Sequence, residues 1–146
     1  NPTLKIPMLL DGDQVVLDSG IIYQYLVQRQ NADAINLSQQ NVLSAIDAAN
    51  DSFVNLFLLQ KSGIENMPDK LFFKLQNERI IAVFEHLDKA VTGPDFACWD
   101  YLSISLFAML DWIDFRSLFD FTSYRELTAF HQKYLVRPEV VATDPR

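Results

Sequence analysis

Few residues in this chain are of a type that does chemistry, and their spacing excludes more than it allows. Cys98 is the only cysteine, so no internal disulfide can form and no zinc site can be built from thiolates. It is expected to pack at the start of a buried helix. His86 and His131 stand 45 residues apart without metal-ligand spacing to either; both are expected on helix surfaces, and no metal is expected. The polar cluster best placed for a role is Asp18-Ser19-Gly20. It precedes Ile21, Ile22, Tyr25 and Leu26, which share one face at helical spacing. Asp and Ser are the residues that cap a helix start, so on local grounds these two are caps. Pro7 opens a short apolar run, where a proline protects an edge strand, and Lys5 before it is equally well read as a solvated side chain.

The elements that must position these residues follow from pattern. Pro7–Leu10 reads as a strand, Asp11-Gly12-Asp13 as a turn and Gln14–Leu17 as a second strand, together a hairpin. A helix opens at Asp18-Ser19, and a polar stretch ends near Asn36. Beyond Ser38 the pattern is helical. One amphipathic stripe runs from Val42 through Ile46, Ala49, Phe53, Leu56 and Phe57 to about Gly63. A second, from Pro68 in a first helical turn, carries Phe73, Ile80, Phe84 and Leu87 to about Ala90. Cys98–Ile113 is apolar on nearly every side, which predicts a central helix surrounded by others. Ser123 and Glu126 have capping-box spacing for a helix to about Val136. Pro138–Thr143 holds one more short turn.

The division expected is 1–30 for the strand-and-helix unit, 31–37 for a linker and 38–146 for a helical bundle. Two strands alone make a poor sheet, so the first unit looks incomplete.

Composition narrows the function classes. Of the 146 residues, 49% are hydrophobic, with 11 Phe, and only 4 are Gly; that suits a folded, mostly helical chain rather than a sandwich of short strands. The net charge of −7 opposes nucleic acid unless the basic residues gather on one face, and they do not. The most apolar run, Tyr101–Ile113, is short of the roughly 20 residues a membrane helix needs and contains Asp111. No signal peptide is visible, although the chain opens at Asn1 rather than Met. A reducing, cytoplasmic setting is expected, with no membrane and no nucleic acid as partner.

The order Asn1-Pro-x-Leu-Lys-Ile-Pro7, strand, Asp11-Gly12-Asp13, strand, Asp18-Ser19-Gly-Ile-Ile-x-x-Tyr-Leu26 resembles the cytosolic glutathione transferase family. Trp99-Asp100, Leu110-Asp-Trp-Ile-Asp-Phe-Arg116 and Arg137-Pro-x-Val-x-Ala-Thr143 resemble the helical domain of its bacterial branch. The fold implied is α+β and mostly α: the last part of a thioredoxin-like domain followed by the all-helical C-terminal domain. The resemblance implies that Pro7 follows a cis bond and that Ile6 offers its backbone to the cysteinyl unit of glutathione. It places Asp18 and Ser19 at the γ-glutamyl end, where a helix N-terminus favours a carboxylate, and Lys5 near the glycyl carboxylate. Glutathione enters as a substrate, alongside a small electrophile to be conjugated or reduced. A homodimer working in detoxification is implied.

The family activates the thiol with a Tyr, Ser or Cys at its first strand-helix junction. None of Tyr23, Tyr25 or Cys98 matches that place, so the catalytic group is expected upstream of Asn1 and residues 1–146 are expected to be inactive alone. Asp100 matches a structural acid that, in relatives, completes a capping box with Ser or Thr three residues earlier. Here Ala97 stands there, Asp95 is a possible substitute, and Ala97→Ser is expected to stabilise the helix. Phe53, Phe57 and Trp112 are expected in the core. Two alternatives share the scaffold: a non-catalytic interaction module of the stringent-starvation-protein type, and a glutathione-dependent peroxidase, isomerase or dehalogenase.

Overall fold

The computed structural model describes residues 1–146, which divide into two compact units, Asn1–Asn36 and Leu37–Arg146.

In the first unit β1 (Met8–Asp11) pairs antiparallel with β2 (Gln14–Leu17), Met8 opposite Leu17 and Leu10 opposite Val15. The strand starts at Met8 rather than Pro7, whose nitrogen has no hydrogen to give a ladder. Gly12 leads the two-residue loop with φ of +58°, the position at which a tight hairpin turn asks for glycine. Alternation sets two faces: Leu9 and Val16 turn inward, while Met8, Leu10 and Val15 remain exposed. Helix α1 (Ser19–Gln30) is capped by Asp18 and ends at Asn31 in the left-handed region, with the Ala32 N–H closing back on the Val27 carbonyl at 3.1 Å. The Tyr25 hydroxyl donates to Asp11 at 2.5 Å and accepts from Arg29 at 2.7 Å, and Arg29 also pairs with Asp11. These contacts fasten α1 to the hairpin.

The second unit holds α2 (Leu37–Lys61), α3 (Leu71–Ala90), a single 3-10 turn (Pro94–Phe96), α4 (Tyr101–Arg116), α5 (Arg125–Tyr134) and α6 (Pro138–Ala142). Its core is one cluster in which α4 is central: Leu102, Leu106, Leu110 and Ile113 are fully buried. Val42, Ile46, Ala49 and Phe53 on α2 and Ile80, Phe84 and Leu87 on α3 close around it. Burying a side chain of this size contributes about 1.5–3 kcal/mol, so this unit carries most of the chain's hydrophobic stabilisation. Helix α2 departs from the expectation about membranes, being 25 residues long with a stretch of mean hydropathy 1.3. Its apolar stripe packs against α3 and α4, which is how a core helix uses such a sequence.

Four local expectations change. Pro68 is not in a helical turn: it follows Met67 in a reverse turn closed by the Lys70 N–H on the Met67 carbonyl at 2.9 Å, and α3 begins afterwards. The central helix starts at Tyr101, and Cys98 is exposed ahead of it instead of packed; Phe96 and Leu102 fill that part of the core. The Ser123–Glu126 capping box does not form. Tyr124 is the N-cap of α5 and offers no side-chain bond. Asp88, in the last turn of α3, instead accepts the N–H groups of Glu126 and Leu127, both at 3.0 Å. A carboxylate there also meets the positive end of the α5 dipole. Asp100 is the N-cap of α4, accepting the Ser103 N–H at 3.1 Å, so it is not the third residue of a box begun at position 97. Asp95 instead accepts the Ser38 hydroxyl at 2.6 Å, and Gln39 bonds Asp100 at 2.7 Å. The start of α2 is thereby tied to the loop before α4.

Candidate functional site

The site builds outward from the junction of β2 and α1. The Asp18 carboxylate accepts the Gly20 N–H at 2.8 Å, its carbonyl accepts the Ile22 N–H at 2.9 Å, and its own N–H donates to the Pro7 carbonyl at 3.3 Å. That last bond draws the start of β1 to the start of α1, so Pro7, Asp18 and Ser19 come together. Asp18 does this with φ of 72° and ψ of 141°, a conformation costing a non-glycine residue about 1–3 kcal/mol. A side chain at Gly20 would meet the Asp18 carboxylate at 3.3 Å, so the small residue keeps this cap open.

The Ile6–Pro7 bond is cis. Ile6 is 94% exposed and takes no part in the backbone hydrogen bonds of the loops or the ladder. Its N–H and C=O are therefore not used by the loops or the ladder, and unpaired main-chain groups of this kind can accept an added strand. Ser19 is exposed at the first turn of α1, where early N–H groups have no helical acceptor. Lys5 is also exposed, its N–H donating to the Thr3 hydroxyl at 3.3 Å and its carbonyl accepting from Asn1. The first unit thus offers a strand-like backbone, a helix N-terminus, a carboxylate outside any ion pair and a hydroxyl. This set can hold a short peptide with a free carboxylate and ammonium group.

Of the three groups weighed for thiol activation, the two tyrosines are engaged and the cysteine is distant in sequence. The Tyr23 hydroxyl accepts the Ile35 N–H at 2.8 Å, Tyr25 is bound by Asp11 and Arg29, and Cys98 belongs to the second unit.

In the second unit His86 is exposed as expected, but His131 is not a surface residue. It stacks on Phe107 and its Nε2 lies 3.2 Å from Asp111, which Arg146 also grips with both guanidinium nitrogens. Those contacts and the neighbouring carboxylates push the Arg146 pKa upward, the Asp111 bond first. Phe53 is core, whereas Phe57 and Trp112 are only half-buried and meet edge to face. Sequence pattern missed Asp88, Asp111 and Arg146, because each acts on a helix remote in sequence and no local motif marks it.

No protein-family pattern and no curated protein matches the sequence significantly. Solved structures do. A glutathione transferase family member from Pseudomonas fluorescens Pf-5, with bound S-(propanoic acid)-glutathione, superimposes with a TM-score of 0.77 at 25% identity; the match covers 99% of this chain and 78% of that one. A glutathione S-transferase from Methylobacillus flagellatus KT with glutathione bound gives a TM-score of 0.81 at 20% identity, with the same coverage. The chain has the glutathione transferase fold. The expectation of a mostly helical chain with a small antiparallel sheet is met within it.

Proposed function

We propose that this protein is a glutathione transferase that conjugates or reduces small electrophiles, and that residues 1–146 hold the glutathione-binding part of it. The observation that carries the reading is the junction at Pro7, Asp18 and Ser19, in a fold whose similar structures hold glutathione or a glutathione adduct. In this reading the Ile6 N–H and C=O bind the cysteinyl unit in strand fashion. The N-terminus of α1 and the Ser19 hydroxyl hold the γ-glutamyl carboxylate, Asp18 pairs with the ammonium group, and Lys5 neutralises the glycyl carboxylate.

Conjugation requires the glutathione thiolate, which attacks the electrophilic carbon and displaces its leaving group. The thiol proton must leave to base, and a hydrogen-bond donor must stabilise the sulfur anion. None of Tyr23, Tyr25 or Cys98 matches the place at which the family activates the thiol, and Tyr23 and Tyr25 are bonded to Ile35 and Asp11; in this reading the donor comes from a segment preceding residue 1. The protein acts as a homodimer in the reducing cytoplasm, where glutathione is abundant as a thiol.

The test compares residues 1–146 with the same residues joined to an upstream strand-helix-strand unit. Glutathione conjugation of a general aromatic electrophile is expected only from the longer chain. Comparable turnover from residues 1–146 would place the thiol-activating group within them and overturn that part of the proposal.

A further inference from the structure

A cavity of about 390 Å³ lies between α4, α6 and the residues that follow α6. Four of the side chains lining it are aromatic: Trp99, Phe107, Trp112 and Phe115. Two of these rings already carry a cation of the chain itself. The Arg137 guanidinium lies 4.9 Å from the centre of the Trp99 ring, and that of Arg146 lies 5.6 Å from the centre of the Phe115 ring. The negative face of a π system draws positive charge in this way. The room suits a flat aromatic body of one or two rings.

The polar part of the wall gives that body a sign. Asp111, Glu139 and Asp144 line the cavity, and no basic side chain does. The Asp111 side chain is only 13% exposed, and a carboxylate so placed stays charged where cations answer it. Arg146 does so from the tail, at 3.0 Å from Asp111, 2.9 Å from Asp144 and 3.3 Å from Asp114. His131 faces Asp111 from α5, and Arg137 pairs with Glu139 at 2.5 Å. Two arginines thus serve four carboxylates, which leaves negative charge at the cavity for a further cation. Arg146 itself shows the arrangement such a cation would take, its charge on Asp111 and Asp144 and an aromatic ring beneath it.

We propose that this cavity binds a protonated arylalkylamine, its ring among Trp99, Trp112 and Phe115 and its ammonium group on Asp111, Glu139 and Asp144, in competition with Arg146. Every residue it uses lies in the second unit, so the proposal does not depend on the glutathione reading. The test is calorimetric titration of the intact protein with 1-naphthylmethylamine, a cation at pH 7, and with its neutral isostere 1-naphthylmethanol. The amine is expected to bind more tightly than the alcohol. Glu139→Gln should weaken the amine about 5-fold, the scale of one exposed charge pair, and leave the alcohol unchanged. Arg146→Gln vacates Asp111 and Asp144 and should tighten the amine by a similar factor. Ala108→Phe places a ring in the cavity, which Ala108 lines, and should abolish binding of both compounds. All three positions are exposed, so the fold should survive each substitution, with circular dichroism as the check. Equal binding of amine and alcohol, an unaffected Glu139→Gln or Ala108→Phe titration, weaker amine binding in Arg146→Gln, or no binding up to the solubility limit would each overturn the proposal.

Discussion

At Asp18 one residue holds two segments together: its N–H donates to the Pro7 carbonyl, and its carboxylate and carbonyl accept the Gly20 and Ile22 N–H groups of the first turn of α1. The pairing of Asp and Ser at a helix start was legible in the sequence, but the φ of 72° was not, because it is imposed by the bond to Pro7 across the hairpin. Asp18→Gly separates the two roles. Glycine adopts positive φ freely and loses only a few tenths of a kcal/mol as a cap, so the thermal midpoint should be unchanged or higher. Glutathione affinity of the complete protein should nevertheless fall about 10-fold or more, as for loss of a charged hydrogen bond. A lower midpoint with unchanged affinity would make Asp18 a structural cap. Tyr124 gives a prediction in pH. Burial first, then the carboxylates of Glu85 and Asp88, hold its phenol above the ordinary range. Below pH 10 the phenol is neutral in both states and its contribution is intact. Above about pH 10 the unfolded chain ionises first, so stability falls as pH rises through the folded pKa. The urea midpoint of Tyr124→Phe should therefore drop less between pH 8 and pH 10.5 than that of the unaltered protein; equal drops would contradict this.

At the scale of elements, hydrophobic periodicity located α1 to α4, because apolar residues at helical spacing need no knowledge of neighbours; α5 and α6 were placed by a capping box and by Pro138, and the 3-10 turn at Pro94–Phe96 was not expected. Helix starts were less legible. Caps at Asp88 and Asp100 come from a preceding helix and from a residue read in the wrong role, and local spacing carries neither. His131 was misread for a similar reason: only the packing of α5 on α4 shows the Asp111 carboxylate that receives it. Asp88→Ala should cost about 1–2 kcal/mol, since it strips the acceptor from two N–H groups of α5. Ala97→Ser should leave stability unchanged, because Asp100 already caps α4. Urea denaturation of both variants checks the pair. A stabilised Ala97→Ser would restore the box centred on position 97, and an unaltered Asp88→Ala would mean that another group or water caps α5.

Across the whole molecule, the two units differ in how much core they own. The second contains nearly all the buried apolar side chains, the first little beyond Val16 and Ile35. Residues 37–146 alone should therefore fold, with helical circular dichroism and a cooperative urea transition; a gradual, non-cooperative loss of helix would contradict that. The family resemblance was legible from short motifs in order, and these motifs lie at turns, helix starts and the hairpin, where backbone geometry admits few alternatives. The central claim is that the α1 N-terminus binds glutathione, and calorimetric titration of the complete protein tests it most directly. Ser19→Ala should weaken glutathione by about 1.5–3 kcal/mol, the range for a hydrogen bond to a charged group, with circular dichroism unchanged. Unaltered affinity in Ser19→Ala and Asp18→Ala alike would contradict the account and return both residues to the role of helix caps.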